Sequence, residues 1–277
     1  MSSVSTLISG KRERAVDILD IGVDPLTMDE LLGLVDKCIA SREQLLLGVV
    51  NAAKVVNARR DPKLRQSLEQ ASLVLADGMP IIWLSKLMGT ALPERIAGID
   101  LMYKLLNRSC EMRYGVYFLG AKPDVVERVV KHVRSNYPGL RAAGFRDGYF
   151  DKTDEKEVAE GIKKSGADIL FIGISSPKKE KFLEKWRDYM SVPICHGVGG
   201  SFDILAGVTK RAPVWMQKCG LEWFYRFVQE PRRMWKRYLV TNTIFIKLGF
   251  KAIIRARLKA VFQKYLFKPA SSTREPE

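Results

Sequence analysis

Asp77 is the carboxylate whose position in this chain best suits chemistry. It directly follows the apolar run Leu73-Val74-Leu75-Ala76 and precedes Gly78. An acid after a buried strand projects into the crevice beyond the carboxyl edge of a parallel sheet, where ligands bind in such folds. It could act there as a general base that removes a proton from an acceptor hydroxyl. The alternative is that Asp77 caps a helix that begins near Met79.

Arg95 is the second candidate, in a loop that precedes a predicted helix. The loop reads Pro93-Glu94-Arg95-Ile96-Ala97-Gly98-Ile99-Asp100. A guanidinium group holds a diphosphate through paired, charge-assisted hydrogen bonds. The alternative is a local ion pair of Arg95 with Glu94 or Asp100.

Two glycine turns follow predicted strands. The first contains Gly120 and ends at Pro123, and the second contains Gly199 and Gly200 and ends at Ser201. Such turns expose backbone N–H groups and a helix N-terminus to an anion, although tight α/β turns use glycine in any case. Neither turn has the phosphate-loop pattern or the full dinucleotide-binding spacing, so together they indicate a nucleotide only weakly.

Tyr149, in the segment Asp147-Gly148-Tyr149-Phe150, could stack on a nucleobase. The alternative is a turn that core aromatic residues close.

The sequence indicates no metal and no disulfide framework. It contains no Asp-x-Asp, which argues against a carboxylate pair that holds a divalent cation on a nucleotide sugar. Four cysteines are widely spaced, and the histidines are His132 and His196. This pattern is unlike a zinc site, and it is typical of a reducing, cytoplasmic compartment.

Short apolar runs alternate with amphipathic stretches of helical length, which predicts an α/β fold. We expect a Rossmann-like, mostly parallel sheet with helices on both faces. The predicted strands are 45–50, 73–75, 116–119, 168–173 and 192–195.

The positive charge of the chain is concentrated in residues 209–268. This segment has 15 Lys and Arg and two acids, so it carries +13 of the chain's +15. It also contains Trp215, Trp223 and Trp235. Cations beside a continuous apolar helical face are typical of an interfacial membrane helix, whereas nucleic-acid binding needs no such face. Packing of that face on the core or on a second copy stays open, which leaves a homo-oligomer among the expectations.

Composition divides the chain into four predicted segments. They are a flexible N-terminus (1–16), an α/β catalytic core (17–208), a basic helical appendage (209–268) and a disordered tail (269–277). We expect residues 251–267 to form an amphipathic helix with Ile254, Leu258, Val261 and Tyr265 on its apolar face and Ile253 beside them. The N-terminus lacks the apolar core of a signal peptide, and no run of about 18 apolar residues occurs.

Several motifs resemble the WecG/TagA/CpsF glycosyltransferases, or glycosyltransferase family 26, in the family's order. They extend over roughly residues 17–238. The matching residues are Asn51-Ala52-Ala53-Lys54, Ala76-Asp77-Gly78-Met79-Pro80, the Pro93–Asp100 loop, Gly148-Tyr149-Phe150, Ser176-Pro177-Lys178-Lys179-Glu180, Gly197–Asp203, Lys210–Pro213, Gly220–Trp223 and Gln229–Arg233.

This resemblance implies an inverting, metal-independent transferase of cell-surface polysaccharide biosynthesis. Such an enzyme moves a sugar from a UDP-sugar to a polyprenyl-diphosphate-linked acceptor at the inner membrane face. The family's base falls on Asp77, its important arginine on Arg95 and its acceptor-pocket asparagine on Asn51. Its C-terminal arginines, which neutralise the leaving diphosphate, fall on Arg226, Arg232, Arg233 and Arg237.

Two positions depart from the family's pattern. Val49 replaces a threonine, and Lys179 replaces a glutamine of Pro-Lys-Gln-Glu. Lys179 could contact a phosphate or a carboxylated sugar. Because Asp77, Asn51 and Arg95 remain, we expect an active transferase. The alternative is a non-catalytic basic protein that binds anionic lipid or nucleic acid on a decayed enzyme fold.

Overall fold

The structure is a computed structural model that describes Gly10 and residues 13–266. The side chains of residues 233, 234, 236, 237 and 259–266 are not part of this description. An antiparallel hairpin opens the continuous part, in which β1 (Val16–Asp17) pairs with β2 (Gly22–Val23).

Six parallel strands form the central sheet of the described chain. They are β3 (Leu45–Val50), β4 (Leu73–Ala76), β5 (Gly115–Gly120), β6 (Arg141–Arg146), β7 (Ile169–Gly173) and β8 (Ile194–Gly197). Their order is β4-β3-β8-β7-β5-β6, and every neighbouring pair is parallel. All six carboxyl ends therefore lie along one edge of the sheet. The predicted mostly parallel sheet is confirmed.

Helices connect the strands and continue beyond β8. They are α1 (Met28–Ser41), α2 (Ala52–Ala58), α3 (Pro62–Glu69), α4 (Met79–Leu87), α5 (Gly98–Met112), α6 (Pro123–Asn136), α7 (Glu155–Lys164), α8 (Lys178–Met190), α9 (Ser201–Leu205), α10 (Val214–Lys218), α11 (Glu222–Gln229) and α12 (Pro231–Leu266).

Alternate strand residues pack on opposite helical layers, because side chains along a strand alternate between the two faces. Leu73 and Leu75 belong to a buried cluster with α1, α5 and α6. Val74 and Ala76 belong to a second cluster with α2 and α4 on the other face. Leu170 and Ile172 join α7 and α8 in a third cluster, on the same face as the second. Helices therefore cover both faces, as expected.

The C-terminal segment is anchored to the α/β unit by α12. Phe245 is buried in the second cluster, and Ile253 packs against that cluster. Ile253, which we expected beside the apolar face of this helix, thus packs on the core, which is the alternative that the sequence left open. Ile254 and Leu258 are exposed. The predicted amphipathic helix is the C-terminal part of α12, which begins at Pro231, and the side chains of Val261 and Tyr265 lie outside the description.

Candidate active site

Asn51 and Asp77 lie side by side at the carboxyl edge of the sheet. Val50 of β3 pairs with Ala76 of β4, so the residues that follow these two strands, Asn51 and Asp77, lie next to each other. Asn51 Nδ2 donates to Asp77 Oδ2 over 3.2 Å. Asn51 Oδ1 also accepts from the Lys54 N–H over 3.1 Å, as the N-cap of α2. Capping fixes which end of the amide points at Asp77.

The second oxygen of Asp77 binds the start of another helix. Asp77 Oδ1 accepts from the N–H of Gly98, the first residue of α5, over 2.9 Å. The expectation that Asp77 could cap the helix near Met79 is wrong, because Gly78 is the N-cap of α4 and no side chain caps it. A free N–H at a helix N-terminus is a favourable partner for a carboxylate. Both oxygens are therefore held by donors whose own positions are fixed.

His196 lies beside the same helix start and is fully buried. Its Nε2 is 2.9 Å from the carbonyl oxygen of Gly98. Burial lowers the pKa of His196 to about 4; the nearby Lys179 and Lys54 act in the same direction, while the Gly98 hydrogen bond and Asp77 oppose it. The neutral ring must carry its proton on Nε2, because a carbonyl oxygen only accepts. Nδ1 is buried and has no hydrogen-bond partner in the described structure.

Arg95 belongs to a ring of four alternating charges. Arg95 Nη2 is 3.0 Å from Asp100 Oδ2, and Arg95 Nη1 is 3.4 Å from Glu222 Oε2. Arg211 contacts the other oxygen of each acid, at 2.6 Å from Asp100 Oδ1 and 3.4 Å from Glu222 Oε1. The open possibility of an Arg95–Asp100 ion pair is thus realised, whereas Glu94 accepts from the Met28 N–H at the start of α1.

This ring brings in two residues that the sequence did not assign to the site. Glu222 is the first residue of α11, and Arg211 lies between α9 and α10. Arg211 and Glu222 are each about four-fifths buried as side chains, as is Arg95. Charges with so little contact with water interact more strongly than surface pairs. Two residues of the basic segment therefore contact the candidate site directly.

Lys179 is the second residue of α8, and its side chain lies close to the backbone of Gly197, the last residue of β8. A Cβ atom on Gly197 would be 2.9 Å from Lys179 Nζ. The ammonium group is 3.2 Å from Glu180 Oε1. Burial acts to raise the pKa of Glu180, but Lys179 and hydrogen bonds outweigh it and hold that pKa below its usual value. Lys179 and Val49 both line a groove of about 270 Å³ between α3 and α8. The two departures from the family pattern therefore share one groove.

The glycine turns and Tyr149 are spread along the sheet edge. Gly199 and Gly200 follow β8, two strands from β4. Gly120 ends β5, and Tyr149 follows edge strand β6 and is 70% exposed. Strands lie about 4.8 Å apart, so the end of β6 is about 24 Å from Asp77. Tyr149 and Gly120 therefore cannot contact the same reacting atoms as Asp77.

A family model describes most of this chain. The model for the WecG/TagA/CpsF family of glycosyl transferases matches residues 16–259. The chain belongs to this family. The resemblance found in the motifs is confirmed, and the match continues past residue 238 into α12.

Two curated proteins from bacilli are similar to this glycosyl transferase. A protein of Bacillus subtilis (strain 168) is 36% identical over 194 residues, which cover 70% of this chain and 75% of the relative. A protein of Bacillus spizizenii is 37% identical over 182 residues, which cover 66% and 70%. Both are named N-acetylglucosaminyldiphosphoundecaprenol N-acetyl-beta-D-mannosaminyltransferase.

The appendage of this family member exposes both cations and apolar side chains. Arg226 and Arg232 are exposed, while the side chains of Arg233 and Arg237 lie outside the description. No residue of α11 is fully buried, although the Glu222 side chain is largely covered. The exposed apolar side chains of this segment include Trp215, Trp223, Phe224, Trp235, Leu239, Ile246 and Phe250. In the part of the chain that the structure describes, no helix is long and apolar enough to cross a bilayer.

Acids, histidines and cysteines do not form a metal-binding group within the described residues of this glycosyl transferase. At the candidate site the charged groups are Asp77, Asp100 and Glu222, with Arg95, Arg211 and Lys179. The carboxylates of Asp100 and Glu222 face guanidinium groups, and Asp77 faces an amide and a backbone N–H. Asp77 is therefore the acid of this group that accepts from an amide and a backbone N–H, whereas the other two face guanidinium groups.

Proposed function

We propose that this glycosyl transferase moves a sugar from a UDP-sugar to a polyprenyl-diphosphate-linked acceptor, with inversion at the anomeric carbon. The observation that carries the proposal is the Asp77 carboxylate, held at the sheet edge by Asn51 and Gly98. The name of the Bacillus relatives supports the acceptor class and makes a UDP-linked N-acetylhexosamine the first donor to test.

Asp77 is the general base in this proposal. Oδ1 and Oδ2 each accept one hydrogen bond from the protein, so each oxygen keeps acceptor capacity for a substrate. The acceptor hydroxyl gives its proton to Asp77 while its oxygen forms a bond to the anomeric carbon. The bond from that carbon to the UDP oxygen breaks on the opposite side, and its electron pair leaves with UDP. Attack opposite the leaving group accounts for inversion.

Arg95 stabilises the charge that develops on the departing diphosphate. Fixed cations act most effectively where negative charge grows in the transition state. Arg211 lies next to Arg95, on the same two carboxylates, and extends this positive surface. We assign Arg226, Arg232, Arg233 and Arg237 to the same leaving group, as the resemblance implies. These cations supply the charge compensation, and no metal takes part in the proposal.

Substrate binding follows the sheet edge from Asp77 to β8. Gly199 and Gly200 are the nearer turn and suit the diphosphate, and Lys179 suits an anionic group of either substrate. Gly120 and Tyr149 are distant enough that we assign them, at most, to the nucleoside end of UDP.

Exposed rings beside cations suit a protein that meets its lipid acceptor at an anionic membrane surface. We therefore expect a cytoplasmic protein, peripheral on the inner face of the plasma membrane. Burial of the same exposed surface between two copies of the chain is a second outcome, and solution size with and without liposomes distinguishes them. Nucleic acid is not an expected partner.

A donor screen tests the function. The purified chain is mixed with liposomes that contain N-acetylglucosaminyldiphosphoundecaprenol and with UDP-N-acetylmannosamine, its uronic acid or UDP-glucose, with and without a chelator. We expect transfer of one sugar, an inverted anomeric configuration by NMR, and no effect of the chelator. Absence of transfer from every donor, together with no UDP binding by calorimetry, would instead support the non-catalytic protein for anionic lipid or nucleic acid.

A further inference from the structure

His196 does not reach the sheet edge where substrates would bind. It lies within β8, opposite Leu47 of β3 and Phe171 of β7. Its ring packs edge-on against Phe171, with the ring centres 6.2 Å apart. Because the imidazole is fully buried, it cannot directly contact a substrate bound at the sheet edge. A role in the reaction must therefore pass through a residue that His196 contacts.

Gly98 is that residue, because it is hydrogen-bonded on both sides. Its carbonyl oxygen is 2.9 Å from His196 Nε2, and its N–H donates to Asp77 Oδ1 over 2.9 Å. A Cβ atom on Gly98 would be 3.7 Å from the His196 ring, so the ring also packs against the glycine backbone. A glycine has a freer backbone than any other residue, so two opposed hydrogen bonds restrict it more than they would another residue.

The arrangement is costly, which argues against simple core filling. Among the described residues, no group hydrogen-bonds to the buried Nδ1 of His196. An unsatisfied polar atom in a core is unfavourable, and an apolar side chain would avoid it. The hydrogen bond to Gly98 is the interaction that an apolar replacement would lose.

We propose that His196 is a positioning residue for Asp77: it fixes the peptide units of Gly98, so that the Gly98 N–H holds Oδ1 and the carboxylate keeps its orientation towards the acceptor. The catalytic role of Asp77 in this inference rests on the proposed function. The hydrogen bonds that join His196 to Gly98 and Gly98 to Asp77 do not depend on the proposed function.

A matched pair of variants separates positioning from packing. His196→Gln keeps an N–H donor, and His196→Met has nearly the same size without one. We expect His196→Met to lower kcat roughly tenfold with UDP affinity unchanged, since small misplacements of reacting groups are costly. His196→Gln should restore kcat to within about threefold of the wild type. Phe171→Leu is the packing control: it perturbs the same core and should leave kcat near that of the wild type.

The second readout does not depend on activity. In protein labelled with ¹⁵N-glycine, the Gly98 amide resonance reports its hydrogen bond to Asp77. We expect it to move in Asp77→Asn and in His196→Met, and to stay near the wild-type position in His196→Gln. Equal kcat losses in the two His196 variants, or a Gly98 resonance that His196→Met leaves unchanged, would overturn the inference. Normal turnover of Asp77→Asn would reject Asp77 as the base, yet the Gly98 resonances would still decide the role of His196.

Discussion

Arg95 and Glu222 form an ion pair between residues 127 positions apart in the chain, with 3.4 Å between Nη1 and Oε2. Glu222 opens α11 in the basic segment, and Arg95 precedes α5 in the α/β unit. Asp100 and Arg211 complete the ring from the same two parts of the chain. The segment that we expect to meet the membrane is thus coupled to the arginine that we assign to the diphosphate.

The first prediction concerns this coupling. Glu222→Ala should destabilise the fold by about 1–3 kcal/mol, because it leaves two mostly buried guanidinium groups with one acid. It should also weaken UDP binding, because Arg95 loses one of the two carboxylates that align it. Denaturant unfolding and calorimetry measure the two effects.

A double-mutant cycle of Arg211→Ala with Glu222→Ala should give a clear coupling energy. The matched control is the surface pair Lys164 and Glu160, whose cycle should give a much smaller coupling because water screens it. Equal coupling in both cycles would show that the ring does not tie the two parts together.

The second prediction is a pH dependence of stability that His196 causes. Its pKa is about 4 in the folded chain, below the ordinary value of 6.5, because burial disfavours the charged ring. Between these values the unfolded chain binds more protons, so stability falls as the pH is lowered from about 6.5 towards 4. The loss reaches roughly 3 kcal/mol at the acid end. His196→Gln should remove this component from unfolding curves measured across that range. An unchanged slope would mean that His196 is not buried as a neutral ring.

The third prediction separates the two glycine turns. Gly120 has φ 128°, and a Cβ atom there would lie 2.4 Å from the Gly173 carbonyl carbon, so Gly120→Ala should cost several kcal/mol or prevent folding. Gly199 has φ 53° and open space around its Cα, so Gly199→Ala should cost only about 1 kcal/mol. Thermal unfolding compares the two variants. Similar losses would contradict the different backbone environments described above.

The fourth prediction separates the two faces of α12. Phe245 is buried against the α/β unit, so Phe245→Ala should cost about 3–5 kcal/mol of stability. Phe250 is 65% exposed, so Phe250→Ser should leave stability nearly unchanged and reduce sedimentation with anionic liposomes. Full liposome binding by Phe250→Ser and Ile246→Ser together would show that this face does not meet lipid.

The sequence predicted the sheet well because buried parallel strands are short apolar runs, as at Leu45–Val50 and Ile169–Gly173. It did not indicate β6, because that edge strand is largely exposed and has the mixed composition Arg-Ala-Ala-Gly-Phe-Arg. The sequence did not show that α12 is one continuous helix from Pro231, since its core-packed residues and its exposed apolar residues obscure a single apolar face.

The site was predictable where a residue type and its position at a strand end were enough. Asn51 and Asp77 follow neighbouring strands, and Arg95 stands in a loop at the same edge. Glu222 was not predictable, because its partner is distant in the chain and no local pattern marks the contact. His196 stands at the end of an apolar run, where a buried residue is expected, and its hydrogen bond to Gly98 depends on how α5 packs across β8.

Turnover of Asp77→Asn, measured with a competent donor and liposome-bound acceptor, tests the central claim most directly. The amide oxygen can still accept from Gly98, whereas the group can no longer take a proton from the acceptor. Asp188→Asn, which changes an 85% exposed acid in the last turn of α8, is the control. We predict a loss in kcat of at least about 100-fold for Asp77→Asn, with UDP affinity retained, and no loss for Asp188→Asn. Turnover of Asp77→Asn equal to that of the wild type would contradict the assignment of Asp77 as the base.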